Sequence, residues 1–287
     1  MAVAVACVGD SGNPAPTAEG GVDVQSETDS AVADVTALDA STTCDVAKPF
    51  GIPQPVAGLE GAFTVRLSPD YLTAYFSVVE DGGIHAYSAT RTTVNSAFGA
   101  RTALLPSTIV RDPTVTGDEL SMLFWGSGAD DIYLATRATK NGSFSAPVLV
   151  TGVNTAGEEA YPFVREDGKV LYHTSPNGLA RSTNGGAGFG SPTPITELKL
   201  GGINWFPTVT PDDLVIYWAA VFSDGGGGSF AIWVATREAV NDVFSGAHPV
   251  TELNTASNNK PNFITRDRCT LYFARTGVGV MVATKSP

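Results

Sequence analysis

The stretch Asp131-Ile132-Tyr133-Leu134-Ala135-Thr136-Arg137 decides the fold, because the chain returns to its last three residues again and again. Ala89-Thr90-Arg91 and Ala235-Thr236-Arg237 repeat them, and Ala180-Arg181-Ser182 and Ala283-Thr284-Lys285 read as degenerate copies. The basic positions 91, 137, 181, 237 and 285 stand 46, 44, 56 and 48 residues apart. A period of this length is the mark of a repeat architecture. The long interval of 56 is attributed to an insertion around Gly225 to Gly228 that lengthens a loop.

Ahead of each copy lies an apolar stretch ending in a turn with Asp, at Asp70, Asp118, Asp167, Asp212 and Asp267. Asp closes such turns through its own backbone, so each reads as a tight hairpin connection. A run rich in aromatic and β-branched residues follows, as in Ser121 to Trp125 and Leu214 to Trp218. After each tripeptide a loop carrying Phe98, Phe144, Phe189 or Phe244 leads to a fourth strand. Four short strands per unit, with no amphipathic helical stretch between them, make a β-propeller blade. The tripeptide arginines at strand ends are expected to be structural, pairing with the turn aspartates.

The fifth unit is split. Its fourth strand is missing after Lys285, whereas Lys48-Pro49-Phe50-Gly51 to Gln54-Pro55-Val56 match a fourth strand with nothing before them. The N-terminal segment therefore supplies the outer strand of the last blade and closes a ring of five, which removes exposed sheet edges. The expectation is an all-β, five-bladed propeller over residues 42–287.

Residues 1–41 are rich in Ala, Gly, Ser, Thr, Asp and Glu and lack aromatics, so they read as a disordered tether. Their start, Met1-Ala2-Val3-Ala4-Val5-Ala6-Cys7, resembles the tail of a bacterial lipoprotein signal, which implies lipidation at Cys7. That leaves Cys44 and Cys269, which the blade topology places at the same end of the closing blade. In an oxidising compartment they are expected to form a disulfide. The formal net charge of -12 argues against nucleic acid, whose phosphates demand clustered Lys and Arg. The chain is thus expected as an exported monomer, periplasmic or on the outer surface, touching membrane only through the lipid.

The pattern Pro-x-apolar-Ser/Thr-x-Asp, then an aromatic strand, then Asp-Ile-Tyr/Trp-x-Ala-Thr-Arg, resembles the PD (WD40-like) repeats of TolB-type periplasmic β-propellers. Pro113 to Arg137 and Pro207 to Arg237 are the clearest copies. The resemblance covers residues 44 to 287 and implies a periplasmic or surface propeller that binds a partner, often protein. Ser182-Thr183-Asn184-Gly185-Gly186-Ala187-Gly188-Phe189 resembles a degenerate Asp-box of sialidase-like propellers, with Asn184, Gly188 and Phe189 where that family has Asp, Thr and Trp. It implies a turn between a third and a fourth strand, away from any catalytic face.

Propeller ligands enter at the channel mouth, where the inner strands begin. Arg111, Asp112, Glu158, Glu159, Tyr161, Asn204, Trp205, Asn258, Asn259 and Lys260 fall there and form a plausible ring for a sugar or a peptide. The function read from this is non-enzymatic binding of an envelope protein or a glycan, with no catalytic residues. The alternative is a glycosidase or sialidase-like enzyme using a carboxylate pair such as Asp112 and Glu159. No cofactor and no metal is expected: His85, His173 and His248 lie in different units, and Asp130-Asp131 lacks the alternating ligands of a calcium loop.

Overall fold

The computed structural model describes residues 44–126, 130–221 and 228–287. The expected tether and Cys7 lie outside the described residues, as does most of the Gly225 to Gly228 insertion. Strand β1 (Gln54–Pro55) comes first. Blade 1 is β2 (Ala62–Leu67), β3 (Thr73–Glu80), β4 (Gly83–Thr90) and β5 (Thr102–Ala103). Blade 2 is β6 (Arg111–Val115), β7 (Ser121–Trp125), β8 (Ile132–Thr136) and β9 (Val148–Leu149). Blade 3 is β10 (Ala160–Val164), β11 (Val170–Ser175), β12 (Gly178–Thr183) and β13 (Thr193–Pro194). Blade 4 is β14 (Ile203–Val209), β15 (Val215–Val221), β16 (Ala231–Thr236) and β17 (Ser245–Pro249). The last blade contains β18 (Asn259–Ile264), β19 (Thr270–Arg275) and β20 (Gly279–Thr284), with β1 pairing antiparallel to β20 as its fourth strand.

The five sheets pack face to face in a ring, blade 5 meeting blade 1 through β18, β19 and β20 against β2. Five apolar clusters fill the five spaces between blades. Second strands are therefore buried on both faces, which is why β15 reads as a near-continuous apolar run, while β11 carries His173, Thr174 and Ser175 buried with its apolar residues. Trp218, Tyr75, Tyr172 and Phe124 are among the largest side chains wholly inside.

The turn before each second strand is one device used five times. The Asp carboxylate accepts the backbone N–H two residues on, at Leu72, Leu120, Lys169, Leu214 and Cys269. In four of the five a Ser or Thr hydroxyl two positions earlier donates to the same Asp. The next residue is left-handed at Tyr71, Glu119, Gly168, Asp213 and Arg268, with φ from 60° to 68°.

The expected pairing of tripeptide arginines with these turn aspartates does not form, because the carboxylates are already committed to their own turns. Arg91, Arg137 and Arg237 instead donate Nε to the carbonyl of the left-handed residue beyond, Tyr71, Glu119 and Asp213. Each guanidinium stacks on the Phe of its own blade: Phe98, Phe144 and Phe244, at 4.3–4.5 Å. Each also reaches a Tyr hydroxyl of the preceding blade, Tyr272, Tyr75 and Tyr172. The repeated Arg and Phe are thus one latch between neighbouring blades. In the last blade Lys285 sits 4.8 Å over Phe50, so the N-terminal strap supplies the ring that the missing strand would have carried.

The register corrects the third repeat. Thr183 lies opposite Val170 as Thr136 lies opposite Ser121, so the third tripeptide is Ser182-Thr183-Asn184, not Ala180-Arg181-Ser182. Positions 91, 137, 184, 237 and 285 then stand 46, 47, 53 and 48 apart. Residues 184–189 turn between β12 and β13, closed by an Asn184–Phe189 bridge. Cys44 and Cys269 are bonded, Cα atoms 5.8 Å apart, 225 residues apart in sequence.

Candidate functional site

The inner strands carry a second repeated device. Each of β2, β6, β10, β14 and β18 has a register shift against its neighbour near its first turn. In blades 2, 3 and 4 the shifted residue precedes a proline: Asp112-Pro113, Tyr161-Pro162 and Phe206-Pro207. All three are left-handed, with φ of 50°, 53° and 57°. Left-handed backbone at non-glycine residues is strained, and proline removes the N–H that a regular ladder would have used. The bulge turns Asp112, Tyr161 and Phe206 into the channel from three successive blades.

There they line a cavity of about 430 Å³ at the end of the channel where the inner strands begin, with Arg111, Trp125, Glu158 and Lys260. Its wall is a continuous cluster of aromatic rings in edge-to-face and tilted contact. Tyr161 lies 5.0 Å from Trp125, 3.9 Å from Phe206 and 5.5 Å from Trp205, and Phe230 lies 5.6 Å from Phe206. Arg111 covers the Trp125 ring at 4.5 Å, donates to the Gly126 carbonyl and stands 3.7 Å from Asp130. Lys260 Nζ is held over ring faces, 4.6 Å from Phe206 and 5.8 Å from Phe230.

Asp112 is the inward carboxyl of this cavity. Burial pushes it up to about 6, against the pull of Arg66, Lys260 and Arg111. Burial lowers Lys260, with Asp112 opposing, and raises the Tyr161 phenol. Arg66, beneath the cavity floor, lies 4.5 Å over Phe163 on blade 3, and its Nε finds no acceptor among the described residues. Burial lowers it to about 9, so it is cationic at neutral pH.

The opposite end of the channel is bridged. Arg266 on blade 5 pairs with Glu166 on blade 3 at 2.6 Å, reaching past blade 4. Its backbone N–H also donates to the Tyr71 hydroxyl. The site therefore opens at one end.

Of the residues expected at the mouth, Arg111, Asp112, Glu158, Tyr161 and Lys260 meet in the cavity. Trp205 stands behind them, stacked on Tyr161 and Phe230. Glu159 does not reach it: the residue is fully buried, and its carboxylate accepts Thr155 N and Oγ1 at 2.7 and 2.6 Å. The carboxylate pair Asp112 and Glu159 is thereby dissolved. Asn204 accepts the Trp218 indole N–H, Asn259 accepts Arg275 Nε, and Asn258 accepts Phe230 N, so these amides brace loops. Alternation explains the split, since Glu158 and Glu159 are successive residues and only one can face the channel. Arg66, Trp125 and Phe206 are residues that sequence reasoning missed. The aligned X-Pro dipeptides at 112, 161 and 206 were the available signal for Phe206. Among the described residues no group of three His, Cys, Asp or Glu side chains is placed to hold a metal ion.

Fold and site together define a five-bladed β-propeller with an aromatic-walled, charged cavity at one channel end. No family model and no curated protein matches the chain. Solved structures do. A GH62 α-L-arabinofuranosidase catalytic domain from Coprinopsis cinerea superposes with a TM-score of 0.58 at 12% identity, covering 84% of this chain and 98% of that one. An α-L-arabinofuranosidase from Podospora anserina in complex with cellotriose gives 0.58 at 14% identity, covering 86% and 99%. TolB from Acinetobacter baumannii gives 0.48 at 16% identity, covering 78% of this chain, which spans 54% of that protein. At such identities the likeness is one of fold.

Proposed function

We propose that this propeller is a non-enzymatic binding protein of the bacterial envelope whose channel-mouth cavity takes a small saccharide. The observation that carries this is the stack of Trp125, Tyr161 and Phe206 beside Asp112, Arg111 and Lys260 in a cavity of about 430 Å³. Aromatic faces pack against the apolar face of a sugar ring, while a few converging polar groups orient its hydroxyls. The Cys44–Cys269 bond supports placement outside the cytosol, since reducing compartments rarely sustain such bonds. A start resembling a lipoprotein signal adds a lipid anchor at Cys7 to this reading. The TolB-type repeat resemblance agrees with an envelope location and adds nothing about the ligand.

One observation favours a second reading, glycoside hydrolysis. A carboxyl raised by burial to about 6 holds its proton in mildly acidic solution, as a general acid working there must. Against it, hydrolysis needs a second carboxylate across the scissile bond. The remaining candidates are Glu158, exposed at the rim, and Asp130, which faces Arg111.

A glycan array with the full chain, each hit followed for released sugar, separates these. Binding without hydrolysis, lost in Trp125→Ala, supports the proposal. Hydrolysis abolished in Asp112→Asn moves the protein to the second reading. An array without a single hit sinks both and leaves a protein ligand.

A further inference from the structure

The groups around the cavity are unevenly matched. Donors are in surplus. Lys260 points its ammonium over ring faces rather than at a carboxylate. Arg111 spends its guanidinium on a ring, one carbonyl and a distant, exposed Asp130. The Trp125 indole N–H and Arg66 Nε have no acceptor among the described residues. Facing them is Asp112, whose carboxyl takes no hydrogen bond among the described residues and feels three cations at once. Native interiors leave few polar groups unpaired, and those they leave call for an explanation. Inside the cavity Arg111 and Lys260 face the one inward carboxyl of Asp112, with Arg66 beneath the floor, while the exposed Glu158 and Asp130 stand at the rim.

We propose that the cavity selects a saccharide bearing a carboxylate, of the uronic acid class, seating that carboxylate against Lys260 and Arg111. This rests on the saccharide-binding reading above. The ring then lies along Tyr161 and Phe206, and a hydroxyl donates to Asp112, giving the inward carboxylate its donor. A neutral sugar satisfies the aromatic wall and Asp112 but leaves Lys260 over its rings and Arg111 with only the exposed Asp130 at 3.7 Å. Arg presents a fixed fork to a carboxylate and Lys a compact charge, so the two together fix its position.

Titration calorimetry on the intact chain tests this with matched pairs: galacturonic acid against galactose, and glucuronic acid against glucose, as monosaccharides and as dimers. The expected result is at least tenfold tighter binding of the acid in one pair at pH 7.5. Lys260→Met should narrow that preference to within about twofold, and Lys260→Arg should keep most of it, with thermal melting confirming that each variant folds. A second readout is the pH dependence. Asp112 is faced by Arg66, Arg111 and Lys260, with Asp130, Glu158 and Tyr161 nearby. Protonating it near pH 6 removes a negative charge from the site, so the preference for the acid should widen between pH 7.5 and 5.5 and stay flat in Asp112→Asn. Equal affinity for acid and neutral sugar, or preference for the neutral one, overturns this inference and leaves saccharide binding standing. If neither member of any pair binds and the glycan array is also blank, the saccharide reading falls and this inference falls with it.

Discussion

His173 is wholly buried, its ring nitrogens 3.1 Å from the Thr174 carbonyl and 3.4 Å from the Ser182 hydroxyl. Burial lowers it from 6.5 to about 4. The unfolded chain therefore takes up a proton before the folded one does. Its contribution to stability is full above pH 6.5 and is lost as pH falls through 4, amounting to about 3 kcal/mol at completion. Asp112 works in the opposite sense, because its raised carboxyl favours the folded state as pH falls from about 6 towards 4. The two windows overlap, so wild type alone hides both slopes. Denaturant midpoints measured from pH 8 to 4.5 should show Asp112→Asn losing stability more steeply on acidification than wild type, and His173→Gln less steeply. Parallel curves would remove this account. At this scale the sequence was partly legible. Asp112 and Tyr161 stood out because they open inner strands, whereas Glu159 was misjudged by one position. Which way a side chain points at a bulge depends on a register that the residue types do not reveal.

At the level of the element, the latch of Arg, Phe and preceding Tyr should carry weight wherever it is complete. Arg237 is 7% exposed, stacks on Phe244, donates to the Asp213 carbonyl and pairs with its carboxylate at 3.0 Å. Its removal leaves the Asp213 carboxylate with the Tyr172 hydroxyl and, as its remaining cation among the described residues, Arg165. Arg237→Ala should cost roughly 3 kcal/mol in chemical unfolding, the range for breaking a buried ionic contact. Arg181→Ala should cost under about 0.5 kcal/mol, since the register removes that arginine from the latch position. If Arg181 proves the costlier of the two, the assignment of Asn184 to the repeat is wrong. Blades 2 and 3 meet without this latch, having Leu123, Gly168 and Asn184 where the others have Tyr, a left-handed residue with a side chain, and a cation. The tripeptide was easy to see because it recurs, and its partner was not. A repeated cation and a repeated carboxylate suggest a pair, but each Asp was already held by a backbone N–H, and four of the five by a Ser or Thr hydroxyl as well.

For the whole molecule, ring closure rests on the pairing of the N-terminal strap with β20 and on the disulfide beside it. Closing a loop of 225 residues in the unfolded chain limits its entropy, worth up to about 5 kcal/mol. Reduction of the intact protein should lower its unfolding free energy by a few kcal/mol of that ceiling, read from denaturant titrations with and without dithiothreitol. An unchanged midpoint would mean that the ring holds without its clasp. Five blades and their closure were legible because Phe50 repeats the pattern of Phe98, Phe144 and Phe244 away from its blade. The ligand was not, because channel-facing residues differ from blade to blade and carry no repeat. The split blade also sets an order of events during synthesis. Strand β1 and Cys44 leave the ribosome before any other strand, yet their partners follow about 225 residues later, some ten to forty seconds at usual elongation rates. Throughout that wait Cys44 has no partner, because Cys269 has yet to be made. The first strand made is the last to find its place.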